Sequence, residues 1–477
     1  MVFAFSGPRA GSFFVDYDNG SDFHKGTSIA SAWRHCPGDG AAAPPVLLHP
    51  LHAGDTVFLK GGIVYNGSIA IFQSGTPGRS IVYDGNSAGT WGAGRAIIDG
   101  GNELLLGFQA SGTGVRWITI RGFEIRNLKY VGVAPWESGK GILFENAQSV
   151  VVADCFIHDI GYWNNDGVVV PSGYGIVFKT SRECTVTLCE VARTGGTGIR
   201  FDGSRDCTIS RNEIHQDITW GIDLNGDGGE CTGNSITGNT IHDLYQYDRG
   251  FWKGGGDPPH TDFIFIRKGS GYHPCRNIVE GNLCYNDIAF TDFGGTAMTF
   301  LSFADSTVIR HNVFINAHSY WTVFFGWTSR GTCFCRNTVY CPRTGALRLS
   351  TGGDTRITGN LFISAPTAVS LDSARDEQGL IMGCNVYCMP GGDRAFVRNA
   401  PWTGWSFETW RSRGFDGNSR RVASIAEVQF TTTLPYPTHC RNMDLSLRPG
   451  SPADDSNCST CPIPGNEPYR GAAGALP

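Results

Sequence analysis

The chain has 477 residues, of which 40% are hydrophobic and only 17% charged, and its net charge of −5 gives a nucleic acid nothing to bind. It holds 65 glycines without a collagen-like period, a density that breaks helices and supplies turns. No apolar run is long enough to cross a membrane, and no stretch reads as a long amphipathic helix.

Taken in chain order, the first ten residues, Met1 to Ala10, lack a basic region followed by a long apolar core, so they give no clear signal peptide. The 16 cysteines point the other way, to an oxidising compartment. Three triplets beginning at Asn19, Asn66 and Asn457 match the glycosylation acceptor pattern. Together these predict an extracellular location or a virion or cell surface. Short runs such as 115–120 and 149–153 read as strands.

From residue 140 onward the sequence repeats. One unit is an apolar-x-apolar strand, seen at Ile142-Leu-Phe144, Ile176-Val-Phe178, Ile199-Arg-Phe201 and Ile222-Asp-Leu224. It continues at Phe263-Ile-Phe265, Met298-Thr-Phe300, Val323-Phe-Phe325, Leu347-Arg-Leu349 and Val369-Ser-Leu371. The other unit is Asn-x-apolar, at Asn212, Asn239, Asn282, Asn312, Asn337, Asn360 and Asn385. The last three are 23 and 25 residues apart. That period suits a coil of three short strands and three turns. It is too short for a propeller blade and lacks the leucine-rich pattern. The fold class predicted is all-β, a right-handed single-stranded parallel β-helix with loop insertions. Its coils would stack about 4.8 Å apart, so the asparagines would form a ladder of side-chain amides at an inward turn. Residues 1–110 would hold the opening strands and first coils, 111–390 the regular coils, and 391–477 a C-terminal cap or cover.

Three segments carry a family likeness: Phe14-Val-Asp-Tyr-Asp-Asn-Gly-Ser, Gly54-Asp-Thr-Val-Phe-Leu-Lys-Gly-Gly, and Met443-Asp-Leu-Ser-Leu-Arg-Pro-Gly-Ser-Pro. With the repeat they make the chain resemble the pectin-lyase-like superfamily of parallel β-helix proteins. That resemblance implies the fold over nearly the whole chain. It leaves the activity open, because the superfamily holds lyases, hydrolases, epimerases, esterases and non-catalytic spikes. Of the polygalacturonase motifs only Asn165-Asp166 and Ile266-Arg267-Lys268 have an echo here.

In each apolar-x-apolar strand the middle residue and the one after the motif point outward. This predicts an outer face with Lys179, Arg200, Asp202, Asp223 and Asn225 as the floor of a cleft. Beyond it the same rule predicts an apolar outward stripe of Ile264, Ile266, Leu301 and Phe324. Next to the polar floor lies an insertion over 243–276. It carries Tyr245, Trp252, His260, Asp262, Arg267 and Lys268, and its aromatics suit the C–H faces of sugar rings. Asp262 aligns with Gly221 in this reading, about 8 Å from Asp223 between Cα atoms. Such a pair suits inverting glycoside hydrolysis, where carboxyls sit about 6.5–9.5 Å apart. Asp202 is the alternative partner, and His260 the alternative base for a lyase. Lys179, Arg200, Asn225, Tyr245, Trp252, Arg267 and Lys268 would bind the substrate. No cofactor is expected for a hydrolase. A lyase would use Ca²⁺ on Asp202, Asp223 and Asn225, all oxygen donors.

The sequence thus favours a polysaccharide-cleaving enzyme, a glycoside hydrolase or polysaccharide lyase. The alternative is a non-catalytic structural or glycan-binding β-helix protein, such as a virion or cell-surface spike, for which the apolar stripe would offer a homo-oligomer (trimer) interface. Cys184 and Cys207 share a column in successive coils, at a spacing that permits a disulfide or stacked thiols. Cys440, Cys458 and Cys461 read as a C-terminal staple.

Overall fold

A computed structural model describes residues 10–112, 114–129, 139–161, 172–217, 219–244, 260–285, 297–316, 319–341, 345–363, 365–389, 395–431, 447–449 and 451. The chain forms two compact units, Met1–Ile218 and Thr219–Pro477. Each is a run of parallel β-helix in which every coil places one strand in each of three sheets. Among the described residues no helix is long and apolar enough to cross a membrane.

In the first unit the parallel ladder begins at Ser12–Val15, which pairs with Thr56–Leu59, and that strand pairs with Ile81–Asp84. The longest strands are Lys140–Glu145, Tyr174–Lys179 and Thr197–Asp202. Ile142, Ile176 and Ile199 stack in register, as do Phe144, Phe178 and Phe201. All six are fully buried, each side chain stabilising the core by about 1.5–3 kcal/mol. Leu143, Val177 and Arg200 point the other way, as the alternation predicts. Gly175 precedes this frame because a Cβ there would lie 2.5 Å from the Gly198 carbonyl oxygen.

In the second unit the equivalent strands are Trp220–Asn225, Asp262–Arg267, Ala297–Ser302, Trp321–Gly326, Gly345–Leu349 and Thr367–Ser373. Their register corrects the predicted stripe. Ile222 pairs with Ile264, and Leu224 with Ile266, which pairs with Leu301. Ile264, Ile266 and Leu301 therefore face the core and are fully buried. The outward row is Asp223, Phe265, Phe300, Phe324 and Arg348. Of the predicted stripe only Phe324 is outward. The physical cause is period-2 ambiguity. Phe263-Ile-Phe-Ile is an unbroken apolar run that reads equally well in either frame, and in Met298-Thr-Phe-Leu the one polar residue, Thr299, points inward beside Ile264 and is fully buried, so one residue of slip exchanges the faces. The outward phenylalanines are themselves only 5%, 1% and 6% exposed.

The asparagine ladder runs through this unit from Asn239 to Asn385. Asn282 Oδ1 accepts both the backbone N–H and the Nδ2 of Asn239, each at 2.9 Å. The same double contact repeats between Asn282 and Asn312, Asn312 and Asn337, Asn337 and Asn360, and Asn360 and Asn385. Each amide also donates to a backbone carbonyl, as Asn312 does to Val279 at 2.9 Å. Buried polar groups are thus satisfied coil by coil. The ladder ends on Asp416, which accepts from Asn385 at 2.9 Å and from Tyr387 and Trp410 at 3.0 Å. Phe396–Ala400 pairs in parallel with Thr367–Ser373 and antiparallel with Trp402–Trp405, and after the helix Phe407–Ser412 the strand Arg420–Val422 pairs in parallel with Val386–Cys388.

Cys184 and Cys207 are thiols rather than a disulfide. The Cys184 N–H donates to Cys207 Sγ at 3.3 Å, and each Sγ meets a backbone carbonyl, of Arg182 and Arg205. Cys440, Cys458 and Cys461 lie outside the described residues.

Candidate functional site

The predicted residues fall into two groups, one on each unit. In Met1–Ile218 the outer face carries three rows across successive strands. The register places Lys140 beside Tyr174 and Thr197, Leu143 beside Val177 and Arg200, and Glu145 beside Lys179 and Asp202. These rows enclose a cleft of about 400 Å³. Lys179 Nζ lies 3.3 Å from Glu145, and an Arg200 guanidinium nitrogen 2.9 Å from Asp202. Lys179, Arg200 and Asp202 therefore do meet. Lys140, Tyr174, Leu105 and Leu106 escaped the sequence reading, whereas Leu143 and Val177 are outward as the alternation predicts. A signal for the first two was there: Lys140, Tyr174, Thr197 and Trp220 each stand immediately before a Gly-Ile pair, so they share a column.

In Thr219–Pro477 the register puts Asp262 opposite Trp220, not Gly221, and puts Phe265 opposite Asp223. The frame slip noted above is again the reason, and Asp262 thus stands at the start of its strand. Its carboxylate is fully buried. One oxygen accepts the Ala297 backbone N–H at 2.9 Å, and the other pairs closely with His260 Nδ1. His260 keeps 36% of its side chain exposed while Asp262 has none. Aromatic rings wall the imidazole: Phe265 at 5.0 Å, Phe300 at 5.5 Å and Trp220 at 6.1 Å between centroids. Burial pushes the imidazole pKa down, but the charge and hydrogen bond of Asp262 outweigh it, so His260 titrates above its usual value.

Asp223, also fully buried, takes a two-pronged contact from Arg267, Nε to Oδ1 at 3.1 Å and the terminal nitrogen to Oδ2 at 3.2 Å. The same guanidinium lies 4.9 Å over Trp220, 5.5 Å over Phe265 and 4.0 Å from Asp227. Asn225 donates to Asp227 at 2.7 Å and accepts the Asp227 N–H at 3.2 Å. Burial raises the Asp227 carboxyl, but Asn225, the Arg267 charge and Ser270 prevail and hold it below the usual carboxylate range. Lys268 sits 5.1 Å over the Phe303 ring.

Of the three oxygen donors expected for Ca²⁺, Asp202 belongs to the first unit, Asp223 and Asn225 to the second. Arg267 already supplies a positive charge at Asp223. Among the described residues no cluster of three or more His, Cys, Asp or Glu assembles to hold a metal ion. Tyr245 and Trp252 lie outside the described residues. The predicted outward Phe324 belongs to a ring array whose other members the sequence reading missed: Phe265, Phe300 and Phe324 stack at 4.9 and 4.7 Å, and Trp327, 51% exposed, lies 5.4 Å from Phe300.

A family model described as right handed beta helix region matches residues 81–256 and 174–387. Comparison with curated protein sequences yields no match. Among solved structures, the GH136 lacto-N-biosidase from Eubacterium ramulus aligns with a TM-score of 0.55 at 14% identity, over 78% of this chain and 65% of that one. The chain thus spans under two thirds of that protein's length. The periplasmic alginate epimerase AlgG aligns at a TM-score of 0.49 and 12% identity, over 78% of each chain. A mannuronic acid specific polysaccharide family 6 lyase from human gut microbiota gives 0.48 and 16%, over 78% and 86%. At such identities the first likeness speaks for the fold alone, and the other two carry no further argument.

Proposed function

From the premise that the chain belongs to the right-handed β-helix family, we propose that it is a carbohydrate-active enzyme that cleaves a polysaccharide, with His260 and Asp262 at the reacting bond. The observation that carries this is the dyad itself. A fully buried carboxylate, fixed by the Ala297 N–H, holds Nδ1 of a histidine that remains partly open to solvent. Such an arrangement sets the tautomer and orientation of an imidazole and stabilises its protonated form. The raised pKa favours a proton donor at Nε2. That proton goes to the glycosidic oxygen as the C–O bond breaks, and water completes the hydrolysis. The open Trp327 ring supports a sugar partner, since pyranose C–H faces rest well on aromatic rings. A lacto-N-biosidase among the structural neighbours supports the choice of carbohydrate. An extracellular or surface location belongs to the same reading.

A glycan panel tests it. New reducing ends without ultraviolet absorbance mean a hydrolase; absorbance in the unsaturated-uronate band means a lyase, with His260 abstracting a proton instead. His260→Ala and Asp262→Asn should abolish either signal while the chain stays folded. Cleavage that survives both changes would remove the dyad from the mechanism. Glycan binding without cleavage would leave the non-catalytic alternative, which the exposed Trp327 ring also favours.

A further inference from the structure

The cleft on Met1–Ile218 is not used by that mechanism, and its chemistry differs from a sugar subsite. Its floor is aliphatic. Leu143 and Val177 stack at the outward position of successive strands, with Leu105 and Leu106 beside them. Its rim is cationic, built from Lys140, Lys179 and Arg200, and Asp202 is the carboxylate in the lining. Tyr174 is the aromatic ring there. The Arg200 guanidinium sits 5.4 Å from that ring and the Lys140 ammonium 5.8 Å, so cations already engage it.

A pyranose needs an open ring face to rest on and polar partners for hydroxyls around its edge. Four aliphatic side chains offer no hydrogen bonds, and Tyr174 is taken. An apolar body with one negative end meets both parts of the lining. Apolar surface leaves water against the half-exposed Leu105 and Leu106, with Leu143 and Val177, only 6% and 2% exposed, completing the floor, and a carboxylate suits a guanidinium fork and ammonium groups. Arg200 and Lys179 are tethered by Asp202 and Glu145, which keeps both cations over the cleft. We propose that this cleft binds an amphipathic organic anion, a carboxylate carried on an aryl or short acyl body, with the body on the aliphatic floor of Leu105, Leu106, Leu143 and Val177 and the carboxylate at Arg200 and Lys140. The cleft stands on its own and does not depend on the proposed cleavage.

Calorimetric titration of the full chain with four probes decides it: trans-cinnamate, cinnamamide, hexanoate and glucuronate. Cinnamate or hexanoate should bind, and whichever binds tighter tells an aryl from an acyl source. The neutral amide and the hydrophilic glucuronate should each bind at least about tenfold more weakly. Arg200→Gln, Lys140→Gln and Leu143→Asn should each weaken the favoured probe by about tenfold. Lys140 is only half-buried, so its variant keeps the test open should either of the others fail to fold. Glucuronate binding as tightly as cinnamate, amide and acid binding alike, or no probe binding at all would overturn the proposal. Glycan cleavage is scored separately, so either reading can fail alone.

Discussion

The two units put the same strand of the same coil to opposite uses. In Met1–Ile218 the outward position of the long strands runs Leu143, Val177, Arg200, and the neighbouring rows are charged. In Thr219–Pro477 it runs Asp223, Phe265, Phe300, Phe324, Arg348, with ion pairs at both ends and stacked rings between. The inward residues differ little: Ile and Phe in one, Ile, Leu, Val, Phe and a single threonine, Thr299, in the other. The core therefore fixes the coil, and one outward residue per coil sets the surface chemistry. Small outward residues leave a cleft with cations around it. Large rings fill the face and wall in a histidine.

The largest expected effect separates the two faces by activity. Asp262→Asn keeps the shape but can no longer stabilise a protonated His260, and should lower kcat by about 10³–10⁴, measured on whichever glycan is cut. Lys140→Gln should leave that kcat unchanged. Next comes stability. Phe300→Ala removes a ring packed against Phe265, Phe324 and Trp327 and should cost about 3–5 kcal/mol in denaturant unfolding. Val177→Ala, which removes two methyl-sized groups from a side chain only 2% exposed, should cost about 1–2 kcal/mol. Equal losses would mean that the rings add nothing beyond ordinary burial.

A smaller effect concerns pH. His260 has its pKa raised by folding, so the stability it contributes is fully present below about pH 6.5, its unfolded value. That contribution is lost as pH rises through the higher folded value. Melting temperature should therefore fall with rising pH in that window, and His260→Gln should flatten the fall. The smallest effect concerns Ca²⁺. With the Arg267 fork on Asp223, millimolar calcium should leave the melting temperature of the wild type unchanged. A rise abolished by Asp223→Asn would instead seat the ion there.

Much of the fold was legible because two columns repeat in chemically distinct forms. An asparagine every coil and an apolar-x-apolar triplet every coil need no structure to be seen, and both stand where the spacing puts them. The frame of the strands at 262 and 297 was not legible, because Phe263-Ile-Phe-Ile gives no polar residue to mark a face and the one in Met298-Thr-Phe-Leu, Thr299, is buried on the inward side. Only the hydrogen-bonded register to Ile222-Asp-Leu224 decides it. The same slip hid Phe265 and Phe300 among core residues and set Asp262 against the wrong neighbour. His260 beside Asp262 was visible as a dense acid/base segment, but the Ala297 N–H that fixes the carboxylate comes from the next coil. No local pattern announces a backbone donor 35 residues away.

The asparagine ladder is directional. Each amide reaches forward to the next coil, and the last one is received by Asp416. An interior coil therefore meets identical chemistry on both sides, while the terminus meets something unique. Duplicating or deleting a segment of one period would preserve every handover in the stack. Such a chain can change its reach in evolution by copying whole turns, with its terminator left untouched.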